Sequence, residues 1–273
     1  MKKIRFIEVK SEIAAGTRGA SMGPDAIKVA ALDYGSNLFK KIDATEVPNE
    51  NKQLFDAPGS PYAKRIKAVY AMLERVANAV KNSLKGNEFP IVLAGDHSTA
   101  AGTISGIRMA YPKQRLGVIW NDAHADLHSP WTTPSGNMHG MTLAMACDID
   151  NLECKINDPK GETIEYWEQI MNVGIPGAKI YPEDLVYVSM RDMEKPENYL
   201  INKYGIPNFT AEEVKRMGPE AVAKEVLKYL DHCDLIYVSF DVDSMDSRIS
   251  LGTGTPVPNG LTVAEAKALN VEL

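Results

Sequence analysis

Three apolar runs, each ending in a short motif of aspartate and histidine, constrain this chain more than any other feature of it. Residues 89–94 lead into Gly95-Asp96-His97-Ser98, and residues 116–120 into Asn121 and Asp122-Ala123-His124-Ala125-Asp126. Residues 235–238 lead into Ser239-Phe240-Asp241-Val242-Asp243. Continuous apolar runs of this length read as strands buried on both faces, as in a parallel sheet covered by helices. Alternate residues of an extended chain point the same way. Asp122, His124 and Asp126 would therefore aim together from a strand's C-terminal end, the edge where open α/β sheets collect their ligands. Four of the five histidines fall between His97 and His139. Imidazole nitrogens and carboxylate oxygens in this arrangement are the ligand set of a hard-to-borderline divalent cation. One such motif alone is more often a solvated loop. Three at strand ends point to a metallohydrolase.

The rest of the chain alternates strand and helix signals. Residues 4–9 read as a strand, and Pro24 opens a helix with Asp25 in its first turn. Apolar residues at helical spacing mark 63–84 as a long amphipathic helix. A helix over 99–110, a polar loop over 127–140 and a helix at Glu162–Met171 follow, then a strand over 185–190, a helix over 219–231 and a strand over 235–240. This alternation predicts one α/β domain over 1–273, built on a doubly wound, mostly parallel sheet. The net charge of -6 argues against nucleic acid or an anionic membrane as the main partner. The N-terminus has no apolar signal region, and no apolar stretch approaches the roughly 20 residues of a membrane span. Three cysteines without CxxC spacing fit a reducing, cytoplasmic compartment.

From residues 16–24 to Leu261-Thr262-Val263-Ala264-Glu265 these motifs resemble the ureohydrolase superfamily, which includes arginase, agmatinase and formimidoylglutamase. The resemblance implies a three-layer α/β/α fold carrying two Mn2+ ions bridged by a hydroxide. It also implies a homo-oligomer, a trimer or hexamer. By motif, His97, Asp122, Asp126 and Asp241 would hold one ion. His124, Asp122, Asp241 and Asp243 would hold the other, with Asp122 and Asp241 bridging. Four carboxylates offset two divalent ions, and a hydroxide leaves a slight negative charge suited to a small cationic guanidino substrate. Oxygen-rich ligation without cysteine favours Mn2+. Carboxylates that merely cap neighbouring helices would account for one or two of these residues, not six.

The run Thr132-Thr133-Pro134-Ser135-Gly136-Asn137-Met138-His139-Gly140 resembles the arginase branch, in which hydroxyls and an amide receive the substrate's α-carboxylate. That resemblance makes Thr133, Ser135 and Asn137 substrate-binding residues and His139 the acid/base that serves the leaving amine, with Asp126 sharing the proton transfer. It places Asp192 and Glu194 at the α-ammonium and Glu265 at the guanidinium, although a glutamate on an amphipathic helix is usually solvent-facing. The implied reaction is hydrolysis of L-arginine to L-ornithine and urea. Agmatine or another guanidino acid is the alternative substrate.

Several positions depart from the pattern. His128 stands where arginases usually carry Asn, and Glu194 where they usually carry Asp. Both bear on substrate preference more than on the chemistry, and His128 reads equally as a surface histidine. The resemblance further implies a last strand and helix beyond Glu265, inside the sheet, that these 273 residues do not contain. Unpaired backbone groups are expected there, and a metal-binding homologue of little activity is the accompanying alternative.

Overall fold

The computed structural model describes residues 2–273. In chain order it contains β1 (Lys3–Val9), α1 (Gly23–Asp33), α2 (Leu38–Lys41), β2 (Ala44–Glu46), α3 (Ile66–Lys85), β3 (Glu88–Ala94), α4 (Thr99–Ala110) and β4 (Leu116–Asn121). There follow α5 (Thr142–Cys147), α6 (Glu162–Met171), β5 (Leu185–Val188), α7 (Lys195–Tyr204), β6 (Asn208–Phe209), α8 (Ala211–Met217), α9 (Pro219–Tyr229), β7 (Leu235–Phe240) and α10 (Val263–Glu272). Among the described residues every strand pairing is parallel. No helix there is long and apolar enough to cross a membrane.

The strand alternation explains the layers. On β4, Leu116, Val118 and Trp120 pack to one side with Leu185 and Tyr187 of β5, beneath Ile104 of α4 and Leu200 of α7. Ile119, Val186 and Val188 pack to the other side, against Val214 of α8, Val222 and Val226 of α9 and Leu269 of α10. Helices thus cover both faces, and β4 is buried along its whole length. Full burial of each such aliphatic side chain contributes about 1.5–3 kcal/mol. The apolar stripe of α3 (Val69, Met72, Leu73, Val76, Val80) closes a further core over β1. It packs so tightly on α4 that a Cβ at Gly106 would lie 2.5 Å from the Ala77 carbonyl oxygen.

One feature differs from a single continuous sheet. Hydrogen bonding divides the strands into a block ordered β2-β1-β3 and a block ordered β6-β5-β4-β7. β3 and β7 are therefore end strands. Their side chains are correspondingly less covered, with Phe89 56%, Ile236 40% and Phe240 40% exposed. Pro90, which has no N–H to donate, lies in one of these end strands, a position that tolerates it.

Candidate metal centre and substrate cavity

The C-terminal ends of β3, β4 and β7 deliver the three motifs to one place. Register carries the convergence: Asn121 pairs with Phe240, and the next residue on each strand is Asp122 or Asp241. Their backbones stay tied beyond the strands, with Asp241 N donating to Asn121 O at 2.9 Å and Asp122 N to Val188 O at 3.1 Å.

Within this cluster, His97 Nδ1 lies 2.9 Å from Asp122 Oδ2, 3.1 Å from Asp241 Oδ2 and 3.3 Å from Asp126 Oδ2. Despite three oxygens so close, the buried nitrogen has no partner in hydrogen-bonding geometry. A nitrogen and three carboxylate oxygens converging without hydrogen bonds form a cradle for a cation. His124 Nδ1 lies 3.1 Å from Asp243 Oδ2 and 3.5 Å from Asp122 Oδ1. Two groups of potential ligand atoms result, His97/Asp122/Asp126 and Asp122/His124/Asp243, each with its atoms within 4.8 Å of one another. Asp122 belongs to both, one oxygen towards each histidine. Asp241 approaches His97, while its Oδ1 accepts the Asp243 N–H at 2.9 Å.

The electrostatics match that geometry. Burial disfavours charge on both imidazoles, yet the carboxylates overcome it. Asp122 and Asp241 hold His97 well above the ordinary imidazole value, and Asp122 and Asp243 push His124 up to about 11. Burial, then the Asp122 charge, raises the Asp126 carboxyl well above its usual range. The donor set, oxygen and imidazole without thiolate, fits a manganese-type ion.

Outer contacts orient the ligands. His97 Nε2 pairs with Ser239 Oγ at 2.8 Å, and its ring stacks on Trp120 at 4.1 Å between centroids. With Nε2 committed to Ser239, Nδ1 faces the carboxylates. Thr255 Oγ1 donates to Asp243 Oδ2 at 3.1 Å. Arg191 donates to the carbonyl oxygens of Asp243 and Val257 at 2.8 Å each, stapling the loop after β7.

A cavity of about 150 Å3 opens beside the cluster. It is lined by His124, Asp126, His128, Thr133, Ser135, Asn137, His139, Asp192 and Glu194, and also by Glu197 and Thr255, which the sequence reading did not single out. Glu197 carried a signal: Glu194-Lys195-Pro196-Glu197 has capping-box spacing, and both side chains do cap α7. Its Oε1 also accepts the Leu127 N–H at 3.1 Å, which fixes it under the loop after β4. His128 is buried, not a surface histidine, with Nε2 3.6 Å from Glu194 Oε2 and 3.5 Å from Glu197 Oε2. Burial lowers its pKa, and Glu194 opposes that shift. Burial likewise lowers the pKa of His139, against the opposing charge of Asp96.

The side-chain acceptors of the 133–137 loop are taken up by the loop's own backbone and by Lys64. Thr133 Oγ1 accepts from Gly136 N at 2.9 Å, Ser135 Oγ from Asn137 N at 3.2 Å, and Asn137 Oδ1 from Lys64 Nζ at 3.1 Å. Two hydroxyl protons and the Asn137 amide group remain as donors on the cavity wall. The turn needs its glycine: Gly136 has φ 70, and a Cβ there would fall 1.8 Å from the Pro61 carbonyl oxygen. Gly136→Ala is expected to destabilise the protein by at least about 1–3 kcal/mol, read as a lower melting midpoint. An unchanged midpoint would contradict this geometry.

Glu265 is the predicted site residue that the structure does not bring to the cavity. Its Oε2 accepts the Thr262 N–H at 2.8 Å, and the pair forms a capping box at the start of α10. Local hydrogen bonding at a helix N-terminus claims the carboxylate.

Comparison with known proteins agrees with this geometry. The family model described as "Arginase family" matches residues 2–273. The chain belongs to that family. It is 34% identical over 269 residues to an arginase of Bacillus caldovelox, covering 97% of this chain and 84% of that protein. The solved structure of an arginase from the same organism superimposes with a TM-score of 0.85 at 33% identity, covering 100% of this chain and 86% of that one. An Entamoeba histolytica arginase solved with L-ornithine gives a TM-score of 0.84 at 29% identity, covering 99% and 85%. The three-layer α/β/α architecture and the hydrolase character expected from the motifs are those of the Arginase family.

Proposed function

We propose that this chain hydrolyses the guanidinium group of L-arginine, giving L-ornithine and urea, with two manganese ions held by His97, Asp122, His124, Asp126, Asp241 and Asp243. The observation that carries the reading is the cavity wall facing the cluster. Its lining combines hydroxyl and amide donors (Thr133, Ser135, Asn137) with carboxylates (Asp192, Glu194, Glu197), the two kinds of partner that an α-amino acid needs. The Entamoeba relative, solved with L-ornithine, supports an amino-acid substrate.

Divalent ions at this cluster supply hydroxide at neutral pH by lowering the pKa of bound water. The chain's own groups do the rest. With two divalent ions and a hydroxide bound, the four carboxylates would leave the cluster slightly negative, which favours the cationic guanidinium at the strand ends. Thr133, Ser135 and Asn137 donate to the α-carboxylate, while Asp192, Glu194 and Glu197 face the α-ammonium. His139, kept below its ordinary pKa by burial, is neutral at neutral pH. It takes up a proton as the guanidinium carbon is attacked and returns it to the departing amine. Asp126, which also lines the cavity, is the second group able to carry that proton.

Selectivity tests the reading. Agmatine lacks the α-carboxylate, so it leaves the loop donors unpaired at about 1–3 kcal/mol each. Its kcat/KM is expected to fall at least roughly a hundredfold below that of L-arginine. Urea release from both substrates under matched conditions decides it. Comparable values would mean that the loop does not read a carboxylate. His128 and Glu194, in mutual contact, are the positions expected to adjust this preference.

A further inference from the structure

Asp96 touches neither the cavity nor the cluster of ligand atoms, yet it is buried and fully engaged. Its Oδ1 accepts from Ser98 N at 3.1 Å and from the Ser98 hydroxyl. Its Oδ2 accepts from Ser11 Oγ and Ala14 N, both at 3.3 Å. Asp96 N in turn donates to Ser11 O at 2.9 Å. One carboxylate therefore clamps a segment more than eighty residues away, and Ser11, Ile13 and Ala14 are all 2% exposed or less. That segment meets the cavity loop, because His139 N donates to Ala14 O at 3.4 Å. A second tie holds the other side of the same residue: the Thr142 hydroxyl donates to His139 O at 2.8 Å, with His97 O at 3.3 Å. The His139 backbone is thus suspended between the Asp96-held segment and the loop after β3.

We propose that Asp96 is a positioning residue for His139, acting through the Ala14 backbone to fix the imidazole's place in the cavity. This rests on the proton-transfer role given to His139 above. An asparagine at 96 keeps the shape but offers one acceptor oxygen, and its amide would face donors. The Ala14 N–H or the Ser98 N–H would then lose its partner, and the segment carrying the Ala14 carbonyl would shift. Small misplacements of an acid/base group slow the chemical step more than they weaken substrate binding.

The test is a double-mutant cycle of Asp96→Asn and His139→Ala, with metal content measured on every protein. Asp96→Asn alone is expected to lower kcat roughly ten- to a hundredfold, with KM for L-arginine little changed and both ions retained. In the His139→Ala background the same substitution should cost no more than about twofold, because the residue it positions is gone. Ser11→Ala, which loosens the clamp while leaving Asp96 in place, should show a smaller loss with the same non-additivity. It serves as the readout if the Asp96→Asn protein does not fold. Equal losses in both backgrounds, or loss of metal in Asp96→Asn or Ser11→Ala, would overturn the proposal, since Asp96 would then act elsewhere or through His97. Near-parental turnover in His139→Ala would instead overturn the role of His139, and the clamp's purpose with it.

Discussion

Replacing Asp122 with alanine is expected to remove bound divalent ions and turnover together. Asp122 is the residue common to both potential ligand groups, with one oxygen 2.9 Å from His97 and the other 3.5 Å from His124. Its removal would take one potential ligand from each group and one of four carboxylate charges from the cluster. The activity loss should exceed the roughly 10–100-fold that follows loss of an outer-sphere partner. Asp241→Ala should act in the same direction through the His97 side, where Asp241 lies 3.1 Å from the ring. Metal analysis beside a urea assay reads both quantities. Two tightly held ions in the Asp122→Ala protein would contradict the shared-ligand geometry.

His139→Ala should separate chemistry from metal binding. The side chain lines the cavity and lies outside both ligand groups, and burial lowers its pKa, which favours the neutral imidazole that can accept a proton. Its loss is expected to reduce turnover by roughly 10²–10⁴-fold, the usual worth of a general acid/base, while the ion content stays at the parental level. Near-parental turnover would reduce His139 to a loop residue. Loss of metal would show that it supports the cluster instead.

The residues differed in how far their roles could be read from sequence, and the reasons are physical. The cluster was legible because each motif follows an apolar run. A buried parallel strand has one C-terminal end, so Asp122 and Asp241 had to arrive at the same edge once β4 and β7 paired. The cavity loop was legible only through its resemblance to the arginase branch, because Thr, Ser, Asn, Gly and Pro are also ordinary turn residues. Glu265 was the least legible site residue, because a glutamate three residues after threonine suits a helix cap as well as a substrate, and here its carboxylate accepts the Thr262 N–H. Glu197 was overlooked because its spacing from Glu194 reads as a helix start, although its burial beside Leu127 brings it to the cavity wall. His128 could be read as a surface residue because its partners, Glu194 and Glu197, lie beyond the next strand. The clamp made by Asp96 has no local signature, since Ser11 and Ala14 come from the loop after β1. Division of the strands into two blocks matches the unpaired backbone groups that the resemblance implied inside the sheet, although no strand's own sequence states which edge lacks a partner.

The most direct test of the account is a titration of the ion-free protein with Mn2+, with urea release from L-arginine followed at each addition. The ligand geometry predicts no urea at the start and turnover that rises to a plateau as two ions per chain are bound. Full turnover in the ion-free protein, or no urea with two ions bound, would contradict it.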